Sequence, residues 1–264
     1  MWQLLRLSGL HTQASRHTRS RRLVDLGREF HGDIAFWKWA LNQPLAVRGE
    51  SLSASFLLHV KRAPSRLYLS DASFTAIGGY CPELKIFWRY TIDSSLSAEL
   101  KRKAQEKETS DITINLLELA GMFMTAWVVQ MILKDRPVEE GQSVLMRGDN
   151  VSAVSWTNRC GGSRDRRASL IMRLMGRMEI SCGWCHVAKH IPGRKNTLAD
   201  GISRWEENEI AANVKLLTKD SGWTQQDIGE GGRALLSLIL QKKLPKESLD
   251  DSVWDLMVHG TENI

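Results

Sequence analysis

Cysteine is scarce in this chain of 264 residues: Cys81, Cys160, Cys182 and Cys185 are too few and too scattered for a disulfide scaffold. They are read as reduced thiols. Cys182-Gly-Trp-Cys185 is formally a CxxC, and His186 and His190 lie close by. That spacing is too compact for a zinc finger, and strand cysteines are the plainer reading. Internal repeats and low-complexity tracts are also missing, which excludes a solenoid or a linker-like chain. Acid is absent from residues 1–24, which carry Arg6, Arg16, Arg19, Arg21 and Arg22. This composition fits a mitochondrial presequence, a basic arm on phosphates or the end of an upstream domain, beside a nuclear or cytoplasmic setting.

What is present suits a globular protein with a real core: 42% apolar and 25% charged residues, which argues against global disorder. The net charge of +6 favours a polyanionic partner such as nucleic acid or an acidic surface.

Hydrophobic periodicity divides the chain. Residues 20–43 read as a helix through Leu23, Leu26, Phe30, Ile34, Trp37 and Leu41, closed by Pro44. Three short β-type runs follow, at 67–71, 76–81 and 84–92, spaced as an antiparallel meander. Residues 93–110 are charged. The most apolar stretch, 113–134, should be a helix. A buried strand over 144–146 leads into Gly148-Asp149 and a helix over 150–158. A further helix covers 168–179, and a strand runs over Cys182–Ala188. After the Pro192-Gly193 turn, Asn196 or Thr197 can cap a last helix. This order implies an α/β fold with a mixed sheet flanked by helices. The expected organisation is a basic segment and connection-like helix over 1–62, the α/β domain over 63–206, and a helical extension over 207–264.

The chemical clue is acid in apolar settings. Glu118 is the sole charge in LLELAGMFMTAWVVQMIL, residues 116–133. A helix apolar on all sides lies in a core or in lipid, and an ionised carboxylate there must be paired, protonated or bound to a metal. The stretch approaches membrane-spanning length. However, Glu118 sits near its start, Thr125 and Gln130 interrupt it, and no second such segment exists, so no membrane is expected. Asp71 continues the Leu67–Leu69 face, Asp149 ends a central strand, and Asp200 opens a helix, where the dipole favours an anion. Taken singly, each has a plain explanation as a cap, a turn or an exposed face. Together, four carboxylates from separate elements can hold two Mg²⁺ about 3.5–4 Å apart, the arrangement that hydrolyses phosphodiesters. Mn²⁺ accepts the same oxygen cage.

The motifs carrying these acids resemble those of retroelement ribonuclease H domains, which follow reverse transcriptases; the DIRS-type, tyrosine-recombinase elements are the most similar. Leu67-Tyr-Leu-Ser-Asp71-Ala-Ser73 with Gly78-Gly79 is similar to the first-strand motif. Asn115-Leu-Leu-Glu118 resembles the first-helix motif, and Gly148-Asp149-Asn150 the "DN" motif. His190-Ile-Pro-Gly193-Arg-Lys-Asn196-Thr-Leu-Ala-Asp200-Gly-Ile-Ser-Arg204 resembles the signature that closes the domain.

The resemblance implies a ribonuclease H-like fold built on a five-stranded mixed sheet, three antiparallel strands and then parallel ones. It implies a tetrad of Asp71, Glu118, Asp149 and Asp200 holding two Mg²⁺, and endonuclease cleavage of the RNA strand of an RNA–DNA hybrid. In it Asp71 bridges both ions, Glu118 and Asp149 complete one site, and Asp200 completes the other. His190 falls in the loop before the last aspartate by counting back from Asp200, where a histidine would aid product release. Aligned on Pro192-Gly193 it ends the strand instead. Asn196 orders the loop or touches the minor groove, Asn150 points at substrate, and Ser73 lies beside it. The basic protrusion of some members is missing, and Arg159, Arg164, Arg166 and Arg167 could substitute as phosphate contacts, or form a solvated loop. Residues 93–111 are an insertion. No Tyr-x-Asp-Asp polymerase motif is present, so an upstream reverse transcriptase domain would be a partner. The competing reading is a catalytically idle nucleic-acid-binding relic or connection-like module. An integrase-like relative, with three acids, fits the closing signature poorly.

Overall fold

A parallel seam between two strands organises the chain. The computed structural model describes residues 64–133, 142–159, 165–182, 184–205 and 221–241, with isolated positions between 34 and 42 and between 253 and 257. The helix expected over 20–43 and the loop holding Arg164 fall largely outside the described residues. β1 (Arg66–Ala72), β2 (Ala76–Cys81) and β3 (Ile86–Thr91) form the expected antiparallel meander. β4 (Gln142–Gly148) then lies parallel to β1, with Leu67 beside Leu145 and Leu69 beside Arg147. β5 (Trp184–His190) lies parallel to β4.

The architecture is therefore α/β, a mixed sheet flanked by helices, but the sheet has six strands rather than five, in the order β5-β4-β1-β2-β3-β6. The sixth, β6 (Thr224–Gln225), comes from beyond residue 206 and runs parallel to β3. Two main-chain bonds create it, Thr224 N–H to Lys85 O at 2.9 Å and Gln226 N–H to Phe87 O at 2.8 Å. Both of its residues are exposed, so no hydrophobic alternation announces it.

Helices fill the connections: α1 (Ser94–Gln105), α2 (Ile114–Leu133), α3 (Val151–Arg159), α4 (Arg166–Cys182), α5 (Thr197–Arg204) and α6 (Gly229–Ile239). The charged segment after β3 is helical because Asp93 caps α1, its Oδ1 accepting from Ser95 N–H at 2.9 Å and Leu96 N–H at 3.2 Å. Asn150 caps α3 in the same way, accepting from Ala153 N–H at 3.0 Å. α4 runs on through Cys182 because Met175, Met178 and Cys182 continue its buried stripe. The last long strand thus starts at Trp184, later than the sequence pattern suggests, and Cys182 is a helix residue.

α2 is the core of the molecule. Every residue from Leu116 to Val129 is buried. Among the described residues it is the one helix long and apolar enough to cross a membrane, and 83% of its apolar window is covered by the protein. It crosses β1 and β2 and touches α3, α4 and α6. α5 covers β1, β2 and β3 from the other face. Successive strand residues point to opposite faces, so the tandem glycines serve both layers. A Cβ on Gly78 would meet Ile202 Cγ2 of α5 at 2.3 Å, and one on Gly79 would meet Thr125 Oγ1 of α2 at 2.1 Å. Through the space left by Gly79, Trp88 Nε1 donates to Thr125 Oγ1 at 3.0 Å, and Thr125 Oγ1 donates to Gly121 O at 2.8 Å.

This packing generates a stability prediction. Gly79→Ala also crowds Leu69 O at 2.8 Å, a backbone atom that cannot turn aside. Denaturant unfolding should show a loss of about 1–3 kcal/mol, as for other overpacked cores. A loss below about 0.5 kcal/mol, the level of an ordinary surface change, would mean that the close approach of α2 to β2 is wrongly drawn.

Candidate metal centre

The C-terminal ends of the parallel strands β1 and β4 open toward the start of α2. Asp71 lies one residue before the end of β1 and pairs with Gly78 of β2. Asp149 follows the last residue of β4, and Asn150 caps α3 directly after it, so the strand-to-helix turn fixes Asp149. Glu118 lies in the second turn of α2. One carboxylate oxygen from each of the three lies within 4.8 Å of the others. The acids border a cleft of about 850 Å³, with Asn150, Lys101 and Arg204 around them and Phe74 and Trp205 at its sides.

The electrostatics are strained. Burial pushes the Asp71 carboxyl up to about 6, against a hydrogen bond from Ser203 Oγ that favours its ionised form; the Asp149 charge raises it further. Glu118, 4% exposed, is pushed up to about 9 by burial and by the charges of Asp71 and Asp149, with the Ala72 amide opposing. Its Oε2 is buried and has no hydrogen-bond partner among the described residues. All donors are carboxylate oxygens, which suits a hard divalent cation and not the cysteines. Cys81 and Cys182 are buried, and Cys185 is partly buried.

Asp200, the fourth expected acid, stands apart. It is close enough to raise Asp71 electrostatically, but it is half exposed and its Oδ1 is bonded by Arg204 Nε one turn along α5. The closing signature reaches the centre through other atoms as well. Gly193 lies so near Asp149 that a Cβ there would sit 2.9 Å from Oδ2. Asn196 is fully buried and donates Nδ2–H to Ser70 O at 3.1 Å. This bond ties the start of α5 to β1. Asn196 occupies the N-cap position of α5, but its side chain makes no cap bond because it crosses to β1 instead.

The other expected residues separate. His190 sits at the end of β5, exposed, with Nε2 3.0 Å from the Asp149 carbonyl oxygen, which places it on the strand rather than in the loop. Asn150 lines the cleft but spends its amide on the α3 cap and on Asn115 Oδ1, 2.8 Å away. Ser73 also lines the cleft, buried, with its Oγ 2.8 Å from Ser203 O and accepting from Ala76 N–H at 3.1 Å, so it joins the β1–β2 turn to α5. Arg167, expected at phosphate, is 6% exposed instead. It donates from Nε to Ile239 O at 3.0 Å and from Nη2 to Gln241 O at 2.7 Å, capping the end of α6. Arg166 is exposed at the start of α4, and Arg159 ends α3. Arg164 lies outside the described residues.

Ser203 and Arg204 were missed as site residues. The signal was present: they follow Asp200 by three and four positions, and so share its helix face. Arg89 was invisible to sequence reasoning. It donates to Ile202 O at 2.9 Å and to Trp205 O at 3.0 Å, tying β3 to the end of α5.

Compared with family models, with curated proteins and with solved structures, the chain shows no match.

The raised carboxyls set a pH dependence. The folded chain binds Asp71 and Glu118 protons that the unfolded chain, with carboxyls near about 4, releases. Their contribution to stability is full below that value and is lost as pH rises through about 6 and then about 9. In chelator, the melting temperature should fall between pH 5 and pH 9, and Glu118→Gln should flatten the upper part of the fall. A wild-type melting temperature that is flat or rising over this range would exclude a buried, cation-free acid cluster.

Proposed function

We propose that residues 63–206 form a ribonuclease H-like domain that hydrolyses the RNA strand of RNA–DNA hybrids. The observation that carries this reading is the convergence of Asp71, Glu118 and Asp149, from two parallel strand ends and one buried helix, with ligand atoms within 4.8 Å. The strand order supports it: an antiparallel meander whose first strand is continued sideways by two parallel strands is what the resemblance implies. The sixth strand is then an addition from the C-terminal extension.

The residues present fit a divalent cation, given the all-oxygen donor set and the partnerless Glu118 Oε2. Asp71, Glu118 and Asp149 would hold one ion, and Asp71 with Asp200 a second. Two Mg²⁺, or Mn²⁺, supply an activated water and a stabilised leaving oxygen at the phosphodiester. The chain's own part is orientation and dryness. Ser203 fixes the Asp71 carboxylate, and α2 seals Glu118 from water. His190 keeps its ring exposed at the strand end, with Nε2 against the Asp149 carbonyl. The cleft admits a sugar-phosphate strand past Lys101, Asn150 and Arg204. Preference for RNA would rest on contacts to 2′-hydroxyls in the minor groove. An upstream reverse transcriptase domain is the natural partner of such a unit.

The test is cleavage of a labelled RNA–DNA hybrid by the full chain in Mg²⁺, Mn²⁺ or chelator, beside single-stranded RNA and duplex DNA. Metal-dependent cutting of the hybrid's RNA strand alone is expected. Asp149→Asn should lower it by more than the roughly 10- to 100-fold that losing an outer-shell partner of a metal ligand costs, with little change in circular dichroism. Hybrid binding without cutting by a folded, metal-loaded protein would transfer the reading to an idle nucleic-acid-binding module. Full activity in Asp149→Asn would remove the assigned acids.

A further inference from the structure

We infer that Arg204 is a built-in counterion that competes with a divalent cation for Asp200, and so sets how weakly the second ion is held. This rests on the reading of the acids as a cation site. Arg204 lines the same cleft as Asp71, Glu118 and Asp149, and its Nε bonds Asp200 Oδ1. Its two terminal nitrogens make no hydrogen bond among the described residues. Its charge lowers Asp71 and Glu118, and the hydrogen bond to Asp200, with the charges of Asp200, Asp71 and Asp149, raises Arg204.

The anchor of this side chain is fixed while its end is not. Arg89 holds the carbonyls of Ile202 and Trp205 on either side of it, and Ser203 Oγ holds Asp71. The Trp205 ring packs over Gly201, where a Cβ would stand 2.6 Å from Nε1. α5 therefore delivers Arg204 to the cleft from a rigid last turn. The side chain itself is 59% exposed, and Asp200 45%. A long, solvated cation on a rigid base can leave, while a carboxylate on a helix can be taken over.

The competition has a sign that a merely structural ion pair does not share. Breaking an ordinary ion pair beside a metal ligand leaves affinity unchanged or weakens it through lost positioning. Breaking this one removes a rival positive charge. The experiment titrates the full-length chain with MnCl₂, reading free Mn²⁺ by electron paramagnetic resonance, for wild type, Arg204→Gln, Arg204→Lys and Arg233→Gln. The last removes the same unit of charge from an exposed pair with Asp227, which takes no part in the cleft lining.

Arg204→Gln should bind the weaker ion roughly three- to tenfold more tightly, the size expected for a half-screened unit charge at close range. Arg204→Lys, which keeps the charge, and Arg233→Gln should both stay within about twofold of wild type. Circular dichroism of each variant checks the fold. Equal or weaker binding by Arg204→Gln would overturn the inference, as would matching gains in Arg204→Lys or Arg233→Gln. If neither wild type nor Arg204→Gln bound Mn²⁺, the cation-site reading would fall with it. Binding by wild type with no gain in Arg204→Gln would remove the counterion alone.

Discussion

Repulsion among three carboxylates is the constraint around which the rest of the structure is arranged. Oxygens of Asp71, Glu118 and Asp149 lie within 4.8 Å of each other, two of the three acids being buried. No arrangement of that kind is favourable on its own, since burial and like charge both act against ionisation. It persists because its carriers are over-determined. β1 and β4 are central strands, paired on both edges, and α2 is buried along most of its length. The energy that places Glu118 among other acids comes from the apolar residues Leu116, Leu117, Leu119 and Ala120 beside it, none of which could leave the core without exposing large apolar surface.

Close approach of layers is the second half of that arrangement. Glu118 reaches the strand ends because α2 lies low over β1 and β2, where Gly79 and Gly121 remove the side chains that would hold it away; a Cβ on Gly121 would already press on Ile77 at 3.2 Å. On the other face, Gly78 lets α5 settle so that Ser203 touches Asp71. Gly193 does the same for Asp149. Glycines in two of the motifs, and Gly121 in α2, therefore act on one centre. Each is a place where a missing methyl group permits a carboxylate or its support.

The readable part of the molecule was the part where one physical rule dominates. An isolated acid in LLELAGMFMTAWVVQMIL must have a special reason, and the structure turns it toward the two other acids that end apolar strands. The alternating runs of the meander were legible for the same reason: one rule, period two. The unreadable parts depend on partners distant in sequence. Arg167 looks like any loop arginine until α6 presents bare carbonyls at Ile239 and Gln241. Asn196 looks like a helix cap until β1 presents Ser70 O. β6 is defined by two main-chain bonds at the β3 edge and carries no side-chain pattern. The end of α4 was misjudged because Cys182 suits a strand or a helix equally, and only its burial with Met178 decides.

The fourth acid differs from the others in kind, and that difference has a physical meaning. Asp71 and Asp149 belong to strand ends, and Glu118 to a buried helix, so none can move without disturbing the core. Asp200 stands on α5, a short helix whose first turn is exposed enough for its carboxylate to choose between partners. The sheet and α2 together provide a three-carboxylate base, and α5 carries the fourth acid on an element attached at Arg89, Ser203 and Gly201. Within α5 the Asp200 carboxylate meets Arg204 one helical turn along, while oxygens of the other three acids gather within 4.8 Å of one another.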